Sequence, residues 1–201
     1  MSSPATLLKL AGGQYNKLDW SNCAVVLIDF QNEYVNGKMP LGTAGTKATA
    51  NARLLLDKAR DNNTPIFHIA HHGEDKGNIF DPLSDKVTIV DSLRPLDSEK
   101  TITKMHPNAF YDTPLQALIE ATGKSQIVFA GFMSHMCVSS SVRAAFDLGF
   151  ENFVCHDACA TRNLPGAQGE TLAANIIHDT AMAALQDRFA ALMSTNTVIN
   201  G

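Results

Sequence analysis

Residues 23–30 read CAVVLIDF, a near-continuous apolar run rich in β-branched side chains. A run of that length without alternation suits a strand covered on both faces, as in a parallel sheet. Similar runs recur at 65–70 (PIFHIA), 126–130 (QIVFA) and 189–193 (FAALM), with shorter strand patterns at 101–105 and 152–156. Between them the period becomes helical. Ala48, Ala52, Leu55, Leu56 and Ala59 predict a helix over 46–60, stopped by Asp61-Asn62-Asn63. Leu115, Leu118 and Ile119 predict another over 114–122, with Gly123 placed to end it. Two more are predicted, from Ser134 to a stop at Gly149 and over 168–185. Residues 31–45 and 157–166 carry turn-forming Asn, Pro and Gly and read as loops. Residues 71–97 form a long polar loop, and loops of that length in a compact domain usually serve a function. The order of elements gives a doubly wound α/β fold, a six-stranded, mostly parallel sheet in a three-layer α/β/α arrangement.

Open α/β sheets place their sites at the carboxyl edge, and three residues fall there. The 126–130 strand hands over through Gly131 to a helix near Ser134. Cys137 then lies in the first helical turn, where the positive end of the helix dipole favours a thiolate. Asp29 closes the first apolar run, either as a cap for the following turn or as a site carboxylate. Lys104 lies within TITKM, either as an exposed edge charge or as a buried ammonium beside a carboxylate and a thiol. His68, His71 and His72 invite a metal reading. Adjacent strand residues point to opposite faces, however, which favours structural or substrate-loop roles for them. Cys155-x3-Cys159 lacks the C-x2-C spacing of structural zinc sites, and no second pair exists. Neither G-x-G-x-x-G nor G-x4-G-K-[ST] follows a strand, which removes the dinucleotide and P-loop readings.

Composition narrows the class. The 201 residues contain no low-complexity linker and read as one domain, 1–201, with 45% hydrophobic and 18% charged residues. A net charge of −4 with no basic run leaves no electrostatic footprint for nucleic acid, and membrane binding is equally unsupported. No apolar run approaches spanning length and no signal-peptide layout is seen, so the cytoplasm is the default location. There Cys23, Cys137, Cys155 and Cys159 would remain thiols.

The ordered set Asp29-Phe30-Gln31, Lys104 followed by Asn108-Ala109-Phe110, Gly131-Phe132-Met133-Ser134-His135-Met136-Cys137-Val138, and Asp157-Ala158 resembles the isochorismatase-like cysteine hydrolases over nearly the whole chain. The resemblance implies a catalytic triad of Asp29, Lys104 and Cys137. It further implies a cis peptide at Phe132-Met133 and an oxyanion hole from the backbone amides of Met133 and Cys137. Phe30, His71, Phe110, Tyr111 and His135 are the expected substrate contacts. No cofactor and no metal are implied: nicotinamidases of this family bind metal through an Asp-x-His motif, which the segment Ile66-Phe67-His68-Ile69-Ala70-His71-His72-Gly73 lacks. Relatives are commonly homo-oligomers, dimers or larger. Isochorismatases proper cleave a vinyl ether without depending on the cysteine, so Cys137 points to amide hydrolysis through a thioester. The alternatives are hydrolysis of another bond, such as a vinyl ether or ester, a catalytically silent binding protein, and a redox-sensing thiol partnered by Cys155 or Cys159.

Overall fold

The computed structural model describes residues 4–74 and 76–200. The strands are β1 (Cys23–Ile28), β2 (Ile66–His71), β3 (Lys100–Lys104), β4 (Gln126–Phe132), β5 (Glu151–Ala160), β6 (Leu164–Pro165), β7 (Thr171–Leu172) and β8 (Ala191–Met193). Six of them form one sheet in the order β3-β2-β1-β4-β5-β8, and β6 and β7 make a separate two-stranded pair. Every pairing in the large sheet is parallel. The helices are α1 (Leu7–Leu10), α2 (Glu33–Asn36), α3 (Gly42–Asp61), α4 (Leu115–Glu120), α5 (Ser139–Asp147), α6 (Ala174–Gln186) and α7 (Thr195–Asn200). None is long and apolar enough to cross a membrane among the described residues.

Alternation along the strands splits the core in two. Cys23, Val25 and Leu27 of β1 face α3 and α7, packing with Leu55, Leu56 and Val198. Ala24, Val26 and Ile28 face α4, α5 and α6, packing with Leu115, Val142 and Leu185. Both faces of β1 are therefore dry, which explains its unbroken apolar run.

Several boundaries differ from the periodicity. The strand expected to end at His156 continues to Ala160, because its polar residues are used rather than solvated. The register against β4 jumps between Phe129↔Val154 and Gly131↔Cys159, so Asp157 and Ala158 lie in a bulge and not in a loop. Asp157 Oδ1 accepts hydrogen bonds from Thr195 N–H and Oγ1 at 2.7 Å each, capping α7, a helix that the periodicity did not predict. α3 begins at Gly42 rather than at 46, since Gly45 is a packing glycine: a Cβ there would sit 2.7 Å from Leu41 Cβ. α6 begins at Ala174 rather than 168, because the β6–β7 pair takes up the intervening residues. α2 was read as loop.

The long segment after β2 is anchored, not free. Val90 N–H donates to Phe30 O and Asn32 N–H to Thr88 O, while Phe80, Val87 and Leu93 are buried.

Candidate active site

Asp29 follows β1 directly, Lys104 ends β3, and Cys137 lies five residues beyond β4, so all three collect at the carboxyl edge of the sheet. The turn that carries the thiol is wide. Ser134–Val138 is a single π turn, with Val138 N–H reaching back to Met133 O at 3.3 Å, and it runs directly into α5. Gly131, just before it, has φ +144°, and a Cβ there would lie 2.1 Å from Ile28 O. Only glycine lets β4 pass β1 at this point. The Phe132–Met133 peptide is cis.

Asp29 has φ +54°, in the left-handed region that Asp tolerates better than most residues, while its N–H still donates to Ile69 O. Lys104 lies opposite His71 in the β2–β3 ladder, so the two side chains leave the sheet as neighbours. The Lys104 ammonium then makes three contacts: 2.8 Å to Asp29 Oδ2, 3.3 Å to Cys137 Sγ and 3.0 Å to His71 Nδ1. Asp29, Lys104 and Cys137 are 0%, 1% and 6% exposed. Water therefore stabilises none of their charges, and they depend on one another. The 2.8 Å contact makes Asp29 and Lys104 an ion pair in which neither side chain has exposed surface.

Burial sets the proton affinities. It raises the pKa of Asp29, an effect opposed by Lys104, the Cys137 thiol and the His71 backbone. It also pushes the Cys137 thiol up to about 12, with the Asp29 charge adding to the rise and Lys104 opposing it. This differs from the expectation of a stabilised thiolate: desolvation and the Asp29 charge outweigh the ammonium. Cys137 therefore rests as a thiol beside the Asp29 carboxyl group. His71, buried next to Lys104, is pushed down to about 4 and stays neutral.

The profile of the isochorismatase domain matches residues 23–197. The chain belongs to the isochorismatase family. An uncharacterized isochorismatase family protein of Bacillus subtilis is 39% identical over 180 residues, covering 88% of this chain and 98% of that protein. Streptothricin hydrolase of Streptomyces noursei is 30% identical over 167 residues, covering 83% of this chain and 57% of the relative. The crystal structure of an isochorismatase from Pseudomonas putida superposes with a TM-score of 0.89 at 36% identity, covering 96% of this chain and 98% of that one. The protein is an isochorismatase-family hydrolase.

Around Asp29, Lys104 and Cys137, the residues expected to contact substrate take up different settings in this isochorismatase-family structure. Phe30 is 2% exposed, with its ring 4.7 Å from that of Phe132, so it supports the core under the site. Phe110 stacks on Phe150 at 6.2 Å, at the start of β5, and packs with the α4–α6 layer. Both are expected substrate contacts from the resemblance, and in the structure both pack against a second aromatic ring. Tyr111 is exposed and stands edge-on to His106, whose charge would reach His71, so the pair flanks the triad from outside. His135 is half-buried and bonds Thr161 Oγ1 through Nδ1 at 2.7 Å. Its pKa is lowered by burial and by Arg162. His71 and His72 point to opposite faces. His72 lines a cavity of about 580 Å³ with Val87, Arg94 and Thr103, and no triad member lines it. Among the described residues no group of three His, Cys, Asp or Glu is arranged to hold a metal.

Two residues at the site escaped the sequence reading. Tyr34 is 3% exposed, its ring against Phe80 and Phe132, and its hydroxyl is raised well above the usual value by burial and then by Asp29 and Cys137. Arg162, exposed just past β5, acts electrostatically on both Tyr34 and His135. Tyr34 is five residues beyond Asp29, and one helical turn brings it back over the site.

Proposed function

We propose that this protein hydrolyses the C–N bond of a small amide by a cysteine nucleophile and a thioester intermediate. One observation carries the reading: a buried ammonium bridging a carboxylate and a thiol at 2.8 and 3.3 Å. Asp29 takes the Cys137 proton as sulfur bonds to the carbonyl carbon. Its raised proton affinity suits a group that must hold a proton in mid-cycle. The Lys104 ammonium compensates the negative charge as it moves between carboxylate and sulfur. The amides of Met133 and Cys137 receive the developing oxyanion, a kind of donor whose loss costs on the order of a hundredfold in rate. Collapse breaks the C–N bond, and Asp29 returns its proton to the leaving amine. Water then attacks the thioester, giving its proton to Asp29, which passes it to the departing sulfur. The acid leaves and the resting thiol is restored.

The name of the relative streptothricin hydrolase supports hydrolysis as the reaction class. The test is turnover of a panel of small amides and ureido compounds by the wild type and Cys137→Ala, with intact-mass detection of the acyl-enzyme. We expect at least one substrate with a covalent adduct and a loss of about a thousandfold or more in the variant. Substrates turned over equally by both proteins would overturn the reading.

A further inference from the structure

His71 entered as a substrate contact, but the geometry points to a different role: we propose that His71 is a positioning residue, held by Gln31, that fixes the Lys104 ammonium so that its other two protons face Asp29 and Cys137. The inference rests on the cysteine-hydrolase reading above.

An ammonium has three donors and no acceptor. At Lys104 the three partners are Asp29 Oδ2, Cys137 Sγ and His71 Nδ1, at 2.8, 3.3 and 3.0 Å. Because the lysine can only donate, Nδ1 must accept, which assigns the proton of the neutral ring to Nε2. A buried ammonium with two partners could turn about its last carbon bond and share its protons unevenly between carboxylate and sulfur. The third partner removes that freedom. His71 is suited to the task because it faces Lys104 across the parallel ladder, and its ring rests edge-on to Phe80 at 4.8 Å.

Its backbone is held as firmly. Gln31 is fully buried; its Oε1 accepts His71 N–H at 2.9 Å, and its Nε2 donates to His71 O at 2.9 Å and to Val87 O at 2.7 Å. The chain Gln31, His71, Lys104 thus links the first site loop to the ammonium. This also gives Gln31 a physical role two residues after the base.

The test needs no substrate: the second-order rate of Cys137 alkylation by iodoacetamide at neutral pH, read by mass spectrometry, with melting temperature as the control for folding. His71→Phe keeps the ring but removes the acceptor, whereas His71→Asn places an acceptor oxygen near the position of Nδ1. We expect His71→Phe to slow alkylation by about 10- to 100-fold, the scale of leaving one buried donor without its partner. We expect His71→Asn to stay within about 3-fold of wild type. On a Lys104→Met background, His71→Phe should add less than about 2-fold, because its effect passes through the ammonium. An unchanged rate in His71→Phe, or a loss of equal size in the Lys104→Met background, overturns the positioning role while leaving the triad standing. If Lys104→Met alone alkylates at the wild-type rate, the triad reading itself fails, and the positioning role with it.

Discussion

Lys104→Met is the sharpest perturbation of the site, because it removes the cation paired with Asp29, a carboxylate that has no exposed surface. Breaking a buried pair from one side typically costs about 3–5 kcal/mol, since the remaining charge is stranded. For a domain of this size that corresponds to a melting point lower by about 6–20 °C. The stranded carboxylate has an escape: it can take up a proton. The sign follows from Asp29, whose folded pKa is already raised by burial and rises further without the ammonium. A group raised in the folded state contributes stability that is full below its unfolded pKa and is lost as pH rises through the folded value. The gap between variant and wild type should therefore be largest near pH 8 and shrink toward pH 5. Comparing the two proteins at each pH cancels the other titrating groups. Thermal unfolding followed by circular dichroism across that range is the assay, and the double variant Asp29→Asn/Lys104→Met should show no such pH dependence. A gap that stays constant with pH, or widens in acid, would refute the claim that Asp29 and Lys104 are a mutually dependent buried pair.

Other outcomes follow from the same structure. Iodoacetamide labelling of Cys137 should rise steadily up to about pH 9 without a plateau, because the thiol is pushed to about 12; a plateau below pH 7 would show a stable thiolate instead. Gly131→Ala should destabilise the fold by about 3 kcal/mol or more, since a Cβ 2.1 Å from Ile28 O meets backbone that cannot turn away. Urea midpoints would measure this, and a change below 1 kcal/mol would be incompatible with it. Glu99 is held down to about 2: burial opposes its charge, but Arg60, Leu96 N–H and His68 overcome that effect. Its contribution is present above the unfolded pKa near 4.5 and is lost as pH falls toward 2, so Glu99→Gln should cost up to about 3 kcal/mol at pH 7 and almost nothing at pH 2.

The strands were legible because a doubly covered parallel sheet requires unbroken apolar runs, and four such runs mark it. The site was legible as an ordered set of residues but not as geometry. Lys104 shows why: the sequence left open an edge charge or a buried ammonium, and the structure combines the two. β3 is an edge strand, yet its last side chain turns inward and is 1% exposed. Which of these holds depends on a partner 75 residues away, a distance that no local pattern spans. The same limit hid the packing of Phe30 and Phe110, whose partners Phe132 and Phe150 are remote in sequence. Polarity misled in the other direction at Asp157, which looked like a loop signal and is a helix cap.

The pairing of Lys104 with His71 is set by strand register and not by the segment that joins them. Exposed positions such as Leu83 and Leu96, away from the anchoring contacts at Val87, Thr88 and Val90 and from the buried Phe80 and Leu93, can change without moving the ammonium. The segment can therefore vary in sequence while the ammonium stays in place, so a loop graft in this chain should keep those three anchors and the two buried side chains.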